Sequence, residues 1–414
     1  MRVEIISVGD ELLIGQTINT NASWIGEQLL NIGLMVEWVT IVGDSAEDLH
    51  LALRTAAARA DVVLITGGLG PTHDDITKTV VADYFGAALI LNEEVLEQVK
   101  ERFRKRGLPM AKVNEGQALV PAGAEVIKNV NGTAPGMVFH RAEQLFYVMP
   151  GVPHEMKAMM TNAVLPQLKR QLHGSAIRVK KLMTTGVPES VLFERLDSLA
   201  EIEKYARVAF LPDLFGVKLR LMARGEDEAV AAANLSRAEK MVREKIGGDI
   251  YAENDLSLEE AIAASLVERG ETIAVAESCT GGMIADRLTN IPGSSQFFTG
   301  AIVAYSNKLK IDVLRVPAAL IEEHGAVSSE VAGAMAEGVR RVAQVDYGLA
   351  VTGIAGPTGG SIEKPVGLVF IGYADKDRCV TEKYTFADDR IGNKKRSTQA
   401  ALNLVRKMML QREI

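Results

Sequence analysis

Ala276 to Lys310 reads AESCTGGMIADRLTNIPGSSQFFTGAIVAYSNKLK. The apolar run 272–276 predicts a strand, Thr280, Gly281 and Gly282 a tight turn, and the residues from Met283 onward a helix. A strand that turns directly into a helix is the unit of an α/β layer, and this one holds a hydroxyl and a thiol, Ser278 and Cys279, at the strand end. Backbone N–H groups at such a helix start can face the oxyanion of an acyl transfer. A second apolar run, 300–304, ends in Tyr305, Ser306, Asn307, Lys308 and Lys310. A lysine there can serve as the base for Ser278. Downstream, the apolar strand 347–351 opens into TGIAGPTGGS at 352–361, followed by KPVG, and glycines at these positions let backbone N–H groups close on a phosphate.

Length and charge bound the alternatives. A chain of 414 residues has room for two to four domains, each with its own core. A hydrophobic content of 47% beside 24% charged residues describes an ordinary globular protein. The net charge of −7 gives no overall electrostatic support to a nucleic acid or an anionic membrane. No apolar segment approaches the roughly 20 residues of a membrane span, and Glu4 and Asp10 interrupt any secretory pattern, so a cytoplasmic location is expected. Two cysteines, Cys279 and Cys379, supply neither a disulfide framework nor metal-ligand spacing.

From the N-terminus the pattern predicts a strand at 3–7, a helix at 20–32, a strand at 35–42, a helix at 46–59 and a strand at 62–66. Alternation of this kind, with continuously apolar strands, indicates a parallel sheet covered on both faces, whose ligands bind beyond the carboxyl ends of the strands. Asp10 and Glu11 fall there, as do Asp44 and the loop TGGLGPTHDDIT at 66–77. In that loop Gly67, Gly68 and Gly70 allow close approach of an anion, while Asp74 and Asp75 are hard oxygen ligands suited to a magnesium-like cation. Capping of the next helix by the same aspartates and Thr77 is the structural alternative. The turns NGTAPG at 131–136 and PGVPHEM at 150–156 are expected to close the same pocket, with His154 in a hydrogen-bonding role.

Around Gly174 the pattern changes. A strand at 177–184, a helix at 189–199, paired strands at 207–211 and 217–222 and a long helix at 226–246 predict a two-layer α+β module without clustered chemistry. A linker at 252–257 leads to a helix at 258–269 and the last domain. There Ser328 is placed to cap a helix at 329–342. Strands at 347–351, 367–373 and 379–386 and a helix at 393–410 complete a second α/β sandwich. Arg390, Lys394 and Arg396 stand where a phosphate can be met, and ordinary surface charge is the equal alternative.

GDELLIG, TGGLGPTHDDIT, NGTAPG, PGVPHEM, AESCTGG, AYSNKLK, HGAVSSE and TGIAGPTGG with KPVG follow one another along nearly the whole chain. With this set the chain resembles the CinA family. The resemblance implies an α/β protein of two α/β sandwich domains joined by a small α+β, KH-like domain. The N-terminal domain (1–173) has the fold of molybdopterin-binding proteins, 174–251 is the KH-like part, and 252–414 is similar to nicotinamide-nucleotide amidohydrolases. Two hydrolyses are implied: nicotinamide mononucleotide to nicotinate mononucleotide and ammonia, and ADP-ribose to AMP and ribose 5-phosphate. For the first, the resemblance makes Ser278 the nucleophile and Lys310 its base, with Lys308 and Cys279 as the competing assignments. Tyr305 would relay or orient the proton. Cys279, Thr280 and Gly281 would offer oxyanion donors, and Gly282, Asn307, Gly353, Ala355 and Gly356 would complete the substrate contacts.

For the second, Asp44 and Asp75 are the implied functional acids, Asp10, Asp74 and Asp75 the metal candidates, and Gly67, Gly68, Gly70 and Thr72 the substrate loop. A divalent ion, magnesium-like or cobalt-like, is expected for this activity, with potassium a further candidate, and no cofactor for the deamidase. A homodimer acting on small nucleotides is implied. The middle domain lacks the G-x-x-G loop that clamps a nucleic-acid backbone, so RNA binding is not expected. Two other classes fit the same residues: a nucleotide-sensing scaffold connected with competence or DNA damage, and a molybdenum-cofactor role for the N-terminal domain alone.

Overall fold

A computed structural model of the chain describes residues 1–172, 176–197 and 199–411. It contains two compact units, residues 1–179 with 224–232, and residues 180–223 with 233–414. The expected domain boundary at 173/174 lies outside the described residues.

In the first unit, strands β1 (Val3–Val8), β2 (Val36–Val42) and β3 (Val62–Thr66) alternate with helices α1 (Thr20–Asn31) and α2 (Ala46–Arg59). Helix α3 (Thr77–Tyr84) follows the glycine-rich loop, and β4 (Glu125–Ile127), β5 (Gly136–Arg141) and β6 (Gln144–Met149) complete a six-stranded sheet in the order β2-β1-β3-β6-β5-β4. The first four neighbours are parallel, as the sequence pattern predicts. The remaining edge is antiparallel, because β5 and β6 are joined by a turn too short for a crossover. Strand β1 shows why the sheet is covered twice: Val3 and Ile5 enter one core cluster with Ile25 and Leu29, while Ile6 and Val8 enter another with Leu49 and Leu53. The strand's one charge, Glu4, is fully buried and answered by Arg59 at 2.7 and 2.8 Å and by the Thr40 hydroxyl at 2.7 Å.

The α+β module consists of β7 (Ala176–Thr184), α4 (Glu189–Arg195), β8 (Ala206–Pro212), β9 (Val217–Gly225), α5 (Glu228–Ile246) and β10 (Ile250–Glu253), with sheet order β8-β9-β7-β10. The last domain adds α6 (Leu258–Arg269), β11 (Ile273–Glu277), α7 (Met283–Thr289), β12 (Phe298–Val303) and α8 (Asn307–Asp312). Helix α9 (Ser329–Ala343), strands β13 (Tyr347–Gly353), β14 (Leu368–Ala374) and β15 (Cys379–Thr385) and helix α10 (Arg390–Leu410) complete it. Its sheet runs β12-β11-β13-β14-β15, parallel over the first three strands and antiparallel after them.

Local chemistry sets these boundaries. Ser328 accepts from the Val331 N–H and starts α9, as predicted. The final helix begins three residues earlier than expected because the Asp389 carboxylate takes the Gly392 N–H at 2.6 Å, which makes Arg390 its first residue. On β11, Ile273 and Val275 pack on one face and Ala274 and Ala276 on the other, beneath α9. Small side chains let that helix lie close: a Cβ on Gly348 would stand 2.0 Å from the Ala336 carbonyl oxygen. Since β12, β11 and β13 are parallel, their carboxyl ends share one edge, and the segments after them form one crevice.

Candidate active site

The turn after Ser278 is held from beneath by a residue that sequence reasoning missed. Glu277, the last residue of β11, is fully buried, and its carboxylate accepts from the N–H groups of Gly282 (2.9 Å), Ile284 (3.2 Å) and Ala285 (2.9 Å). These are donors of the α7 start that the helix itself leaves open, so a carboxylate rather than a ligand satisfies them. Its only signal in the sequence is an acid at the end of an otherwise apolar strand. Gly281 and Gly282 take φ values of 62° and 95°, left-handed backbone that favours glycine, and the Gly281 N–H closes on the Ser278 carbonyl at 3.2 Å. Their work is to make the turn.

Lys310 arrives from α8, whose start is capped by Ser306 through the Leu309 N–H. Its side chain turns inward and is 1% exposed, and Nζ lies 3.1 Å from Ser278 Oγ and 2.7 Å from the Ala304 carbonyl oxygen. Burial holds its amine below the ordinary lysine value. Lys308, two residues earlier, is exposed and paired with Asp312 at 2.6 Å, which raises its pKa. It neither reaches Ser278 nor pushes on Lys310. The geometry thus separates two lysines that spacing leaves equivalent. Cys279 belongs to the apolar core, where burial pushes its thiol up to about 12, so a thiolate is disfavoured there.

A cavity of about 260 Å³ opens on this pair and is lined by Ser278, Cys279, Lys310, Tyr305, Asn307 and residues 353–356 with Thr358, Gly359 and Arg390. Most of the expected contact residues therefore meet. Thr280, Gly281 and Gly282 do not line it; Thr280 is fully buried, and the two glycines turn the chain. Tyr305 is 63% exposed and its hydroxyl meets Arg390 at 3.4 Å, so the tyrosine stands at the rim while the Ala304 carbonyl supplies the lysine's second partner. Arg390 also donates to the Gly356 carbonyl at 2.5 Å, which fixes it beside the glycine-rich loop. Arg396 instead pairs with Asp388.

In the first unit the expected residues gather at the carboxyl edge of the parallel strands. Asp10 and Asp44 are locked together, each carboxylate accepting from the other's backbone N–H, at 3.1 and 3.2 Å. Burial lifts the Asp44 carboxyl above the usual carboxylate range, and the charges of Asp10, Glu11 and Asp74 add to the rise. Asp75 folds back on its own loop and accepts from the Thr72 N–H (3.0 Å) and hydroxyl (2.5 Å), while Asp74 is exposed beside His73.

Among the described residues, no three acid, cysteine or histidine side chains come close enough to hold a cation. Asp10, Asp74 and Asp75 as arranged do not form the expected metal cage. The loop glycines answer internal demands: a Cβ on Gly67, at φ 109°, would stand 2.1 Å from the Val8 carbonyl oxygen, and one on Gly70 would strike the Asp75 carboxylate. Lys78, unremarked in the sequence, lies in the first turn of α3, donates to the Gly116 carbonyl at 2.7 Å and is brought down to about 8 by burial. The turns at 131–136 and 150–156 do meet, through Asn131 to the His154 carbonyl and Asn129 to Glu155. A small cavity of about 120 Å³ lies between Gly151, Gly67 and the start of α1.

Residues 4–170 match the family described as "Probable molybdopterin binding domain", 179–252 the "Damage-inducible protein CinA KH domain" and 255–409 the "CinA C-terminal domain". A CinA-like protein of Salinibacter ruber is 42% identical over 412 residues, covering 99% of this chain and 100% of its own. A CinA-like protein of Chloroherpeton thalassium is 43% identical over 419 residues, 99% of each. Among solved structures, the competence/damage inducible protein CihA from Agrobacterium tumefaciens is 37% identical over 36% of this chain and 91% of its own, with a TM-score of 0.35.

Proposed function

The chain belongs to the CinA family, and on that premise we propose that its second unit is an amidase that converts nicotinamide mononucleotide into nicotinate mononucleotide and ammonia. The contact that carries this reading is Lys310 Nζ at 3.1 Å from Ser278 Oγ, made by a lysine withdrawn from water. In the uncharged state Lys310 accepts the Ser278 proton as Oγ bonds to the carboxamide carbon. The oxyanion that forms is assigned to the N–H of Cys279, the turn residue after Ser278 that lines the cavity, since Glu277 occupies those of Gly282, Ile284 and Ala285. Collapse breaks the C–N bond, the lysine returns the proton to the leaving nitrogen, and ammonia departs from an acyl-serine. Water, deprotonated by the same lysine, cleaves that ester and releases the carboxylate. Arg390 and the loop 353–359 are suited to the substrate phosphate, with Asn307 and Tyr305 at the wall and rim.

The first unit is assigned to ADP-ribose, with Asp44, Asp75 and Lys78 as the groups to test and the glycine-rich loop as the phosphate side. AMP release followed with and without a chelator tests whether a divalent metal takes part. For the amidase, ammonia release from nicotinamide mononucleotide is the assay. Ser278→Ala is expected to lower it at least about a thousandfold, as loss of a covalent nucleophile does. Full activity in that variant removes the serine mechanism, and tight binding without product in the unaltered chain supports nucleotide sensing instead.

A further inference from the structure

Both cations that line the Ser278 pocket hold only neutral partners. Lys310 Nζ, buried at its floor, meets the Ser278 hydroxyl at 3.1 Å and the Ala304 carbonyl at 2.7 Å. Arg390, exposed at its mouth, donates to the Gly356 carbonyl at 2.5 Å and to the Tyr305 hydroxyl at 3.4 Å. Among the described residues, no carboxylate lines the cavity. The acids nearest along the chain are engaged elsewhere: Glu277 by three N–H groups of the α7 start, Asp312 by Lys308, Asp388 by Arg396 and Asp389 by the Gly392 N–H. A charged amine withdrawn from water without a counter-ion is unfavourable, and an anion that reaches it gains a charge-assisted hydrogen bond. The pocket therefore has two places for negative charge, one buried and one at the surface.

That pair of places distinguishes the two sides of the amide hydrolysis proposed above, on which this inference rests. The amide brings one anionic group, its phosphate, and presents a neutral carboxamide to Ser278. The acid brings two, and the second is formed at the carbon that Ser278 releases, beside the same Nζ. Catalysis requires Lys310 uncharged, whereas a carboxylate is held by its charged form. We propose that the pocket binds the acid product more tightly than the amide substrate, with the product carboxylate on protonated Lys310 and its phosphate on Arg390, so that the product competes with the substrate. The sign with pH follows. A carboxylate raises the pKa of the lysine it contacts, so the affinity is fully present below the pKa of the free enzyme and is lost as pH passes it. Burial, which holds that amine below the ordinary lysine value, brings the loss into reach. Of the other groups around the lysine, the Cys279 thiol is pushed up to about 12, Glu277 is tied to the turn, Lys308 and Asp312 pair with each other at the surface, and Tyr305 and Arg390 stand at the mouth. Lys394 lies beyond the turn, its Nζ 3.6 Å from where a Cβ on Gly281 would be.

Calorimetric titration of full-length Ser278→Ala, which can bind without turning over, compares nicotinate mononucleotide with nicotinamide mononucleotide. The range runs from about pH 7 upward, above the phosphate's second pKa of about 6, so that only the lysine changes charge. At the lower end the acid is expected to bind at least about tenfold more tightly, and its lead should shrink as pH increases. In the unaltered chain, nicotinate mononucleotide should inhibit ammonia release competitively, with an inhibition constant at least about tenfold below KM. Lys310→Met, with melting curves recorded to show that it folds, should bring the two ligands to within about twofold of each other. Equal affinities, tighter binding of the amide, or a lead that stays constant with pH overturns the proposal. If the unaltered chain releases no ammonia while the acid keeps a pH-dependent lead, the amidase reading fails and the preference of the pocket for two anions stands. Binding of neither ligand overturns both.

Discussion

Lys310 can take a proton from Ser278 only while its amine is uncharged, and burial moves that condition toward neutral pH. Ammonia release should therefore increase with pH and level off below the ordinary lysine value of 10.5. A plateau reached only above that value, or a rate that falls over the same interval, counts against this base. The sign for stability is the same. The unfolded chain binds this proton more tightly than the folded one, so between the two pKa values unfolding takes up a proton and stability increases with pH. Replacing Lys310 by Met should flatten that slope in denaturant titrations and abolish turnover. Cys279, one residue beyond Ser278, gives the opposite expectation. With its thiol buried and pushed up to about 12, Cys279→Ala should keep ammonia release within about tenfold of the starting rate, since a packing change without lost chemistry is a modest perturbation. Loss as deep as that of Ser278→Ala would make the thiol the nucleophile.

At the scale of elements, the turn between β11 and α7 depends on Glu277 as much as on its glycines. Three N–H groups converge on one buried carboxylate, and removing it leaves them without acceptors. Glu277→Ala should lower stability by at least about 1–3 kcal/mol, measured from the urea midpoint. Glu277→Gln keeps one acceptor oxygen and should retain part of that stability. If the residue positions the nucleophile, the variants that fold should lose kcat with little change in KM. An unchanged kcat in a folded Glu277→Ala would confine the residue to stability. This is also where the sequence was least informative. Strand, turn and helix are legible from apolar runs and the Gly-Gly pair, because local backbone preference sets them. Glu277 reads as one more acid, because its worth comes from three donors that exist only once the helix has formed.

At the scale of the whole molecule, each unit carries its own core and its own crevice at the carboxyl edge of parallel strands. Loss of one chemistry is therefore expected to spare the other. In one preparation of Ser278→Ala, ammonia release should vanish while ADP-ribose turnover stays within about twofold; Asp75→Ala should give the reverse, since changes at separate sites are close to additive. Joint loss in either variant, with folding intact, would mean that the two activities share a site or a conformational step. The α+β module adds little positive field. Lys180 pairs with Glu239 and Glu253, Lys181 with Asp255, Arg195 with Asp249 and Lys245 with Asp197, so these bases are neutralised before a nucleic acid could meet them. No described helix is long and apolar enough to cross a membrane.

The sequence by itself determined the α/β alternation, the module between the two sheets, the position of Ser278 at a strand end and the Ser328 cap that starts α9. All of these follow from periodicity, glycine and short polar side chains acting within a few residues of themselves. Only the tertiary structure decided between Lys310 and Lys308, set Tyr305 at the rim and closed Asp75 onto Thr72. Those outcomes depend on which side of a helix faces the sheet and on what arrives from far along the chain. Burial of one lysine and solvation of its neighbour two residues away arise from packing, which sequence spacing does not record.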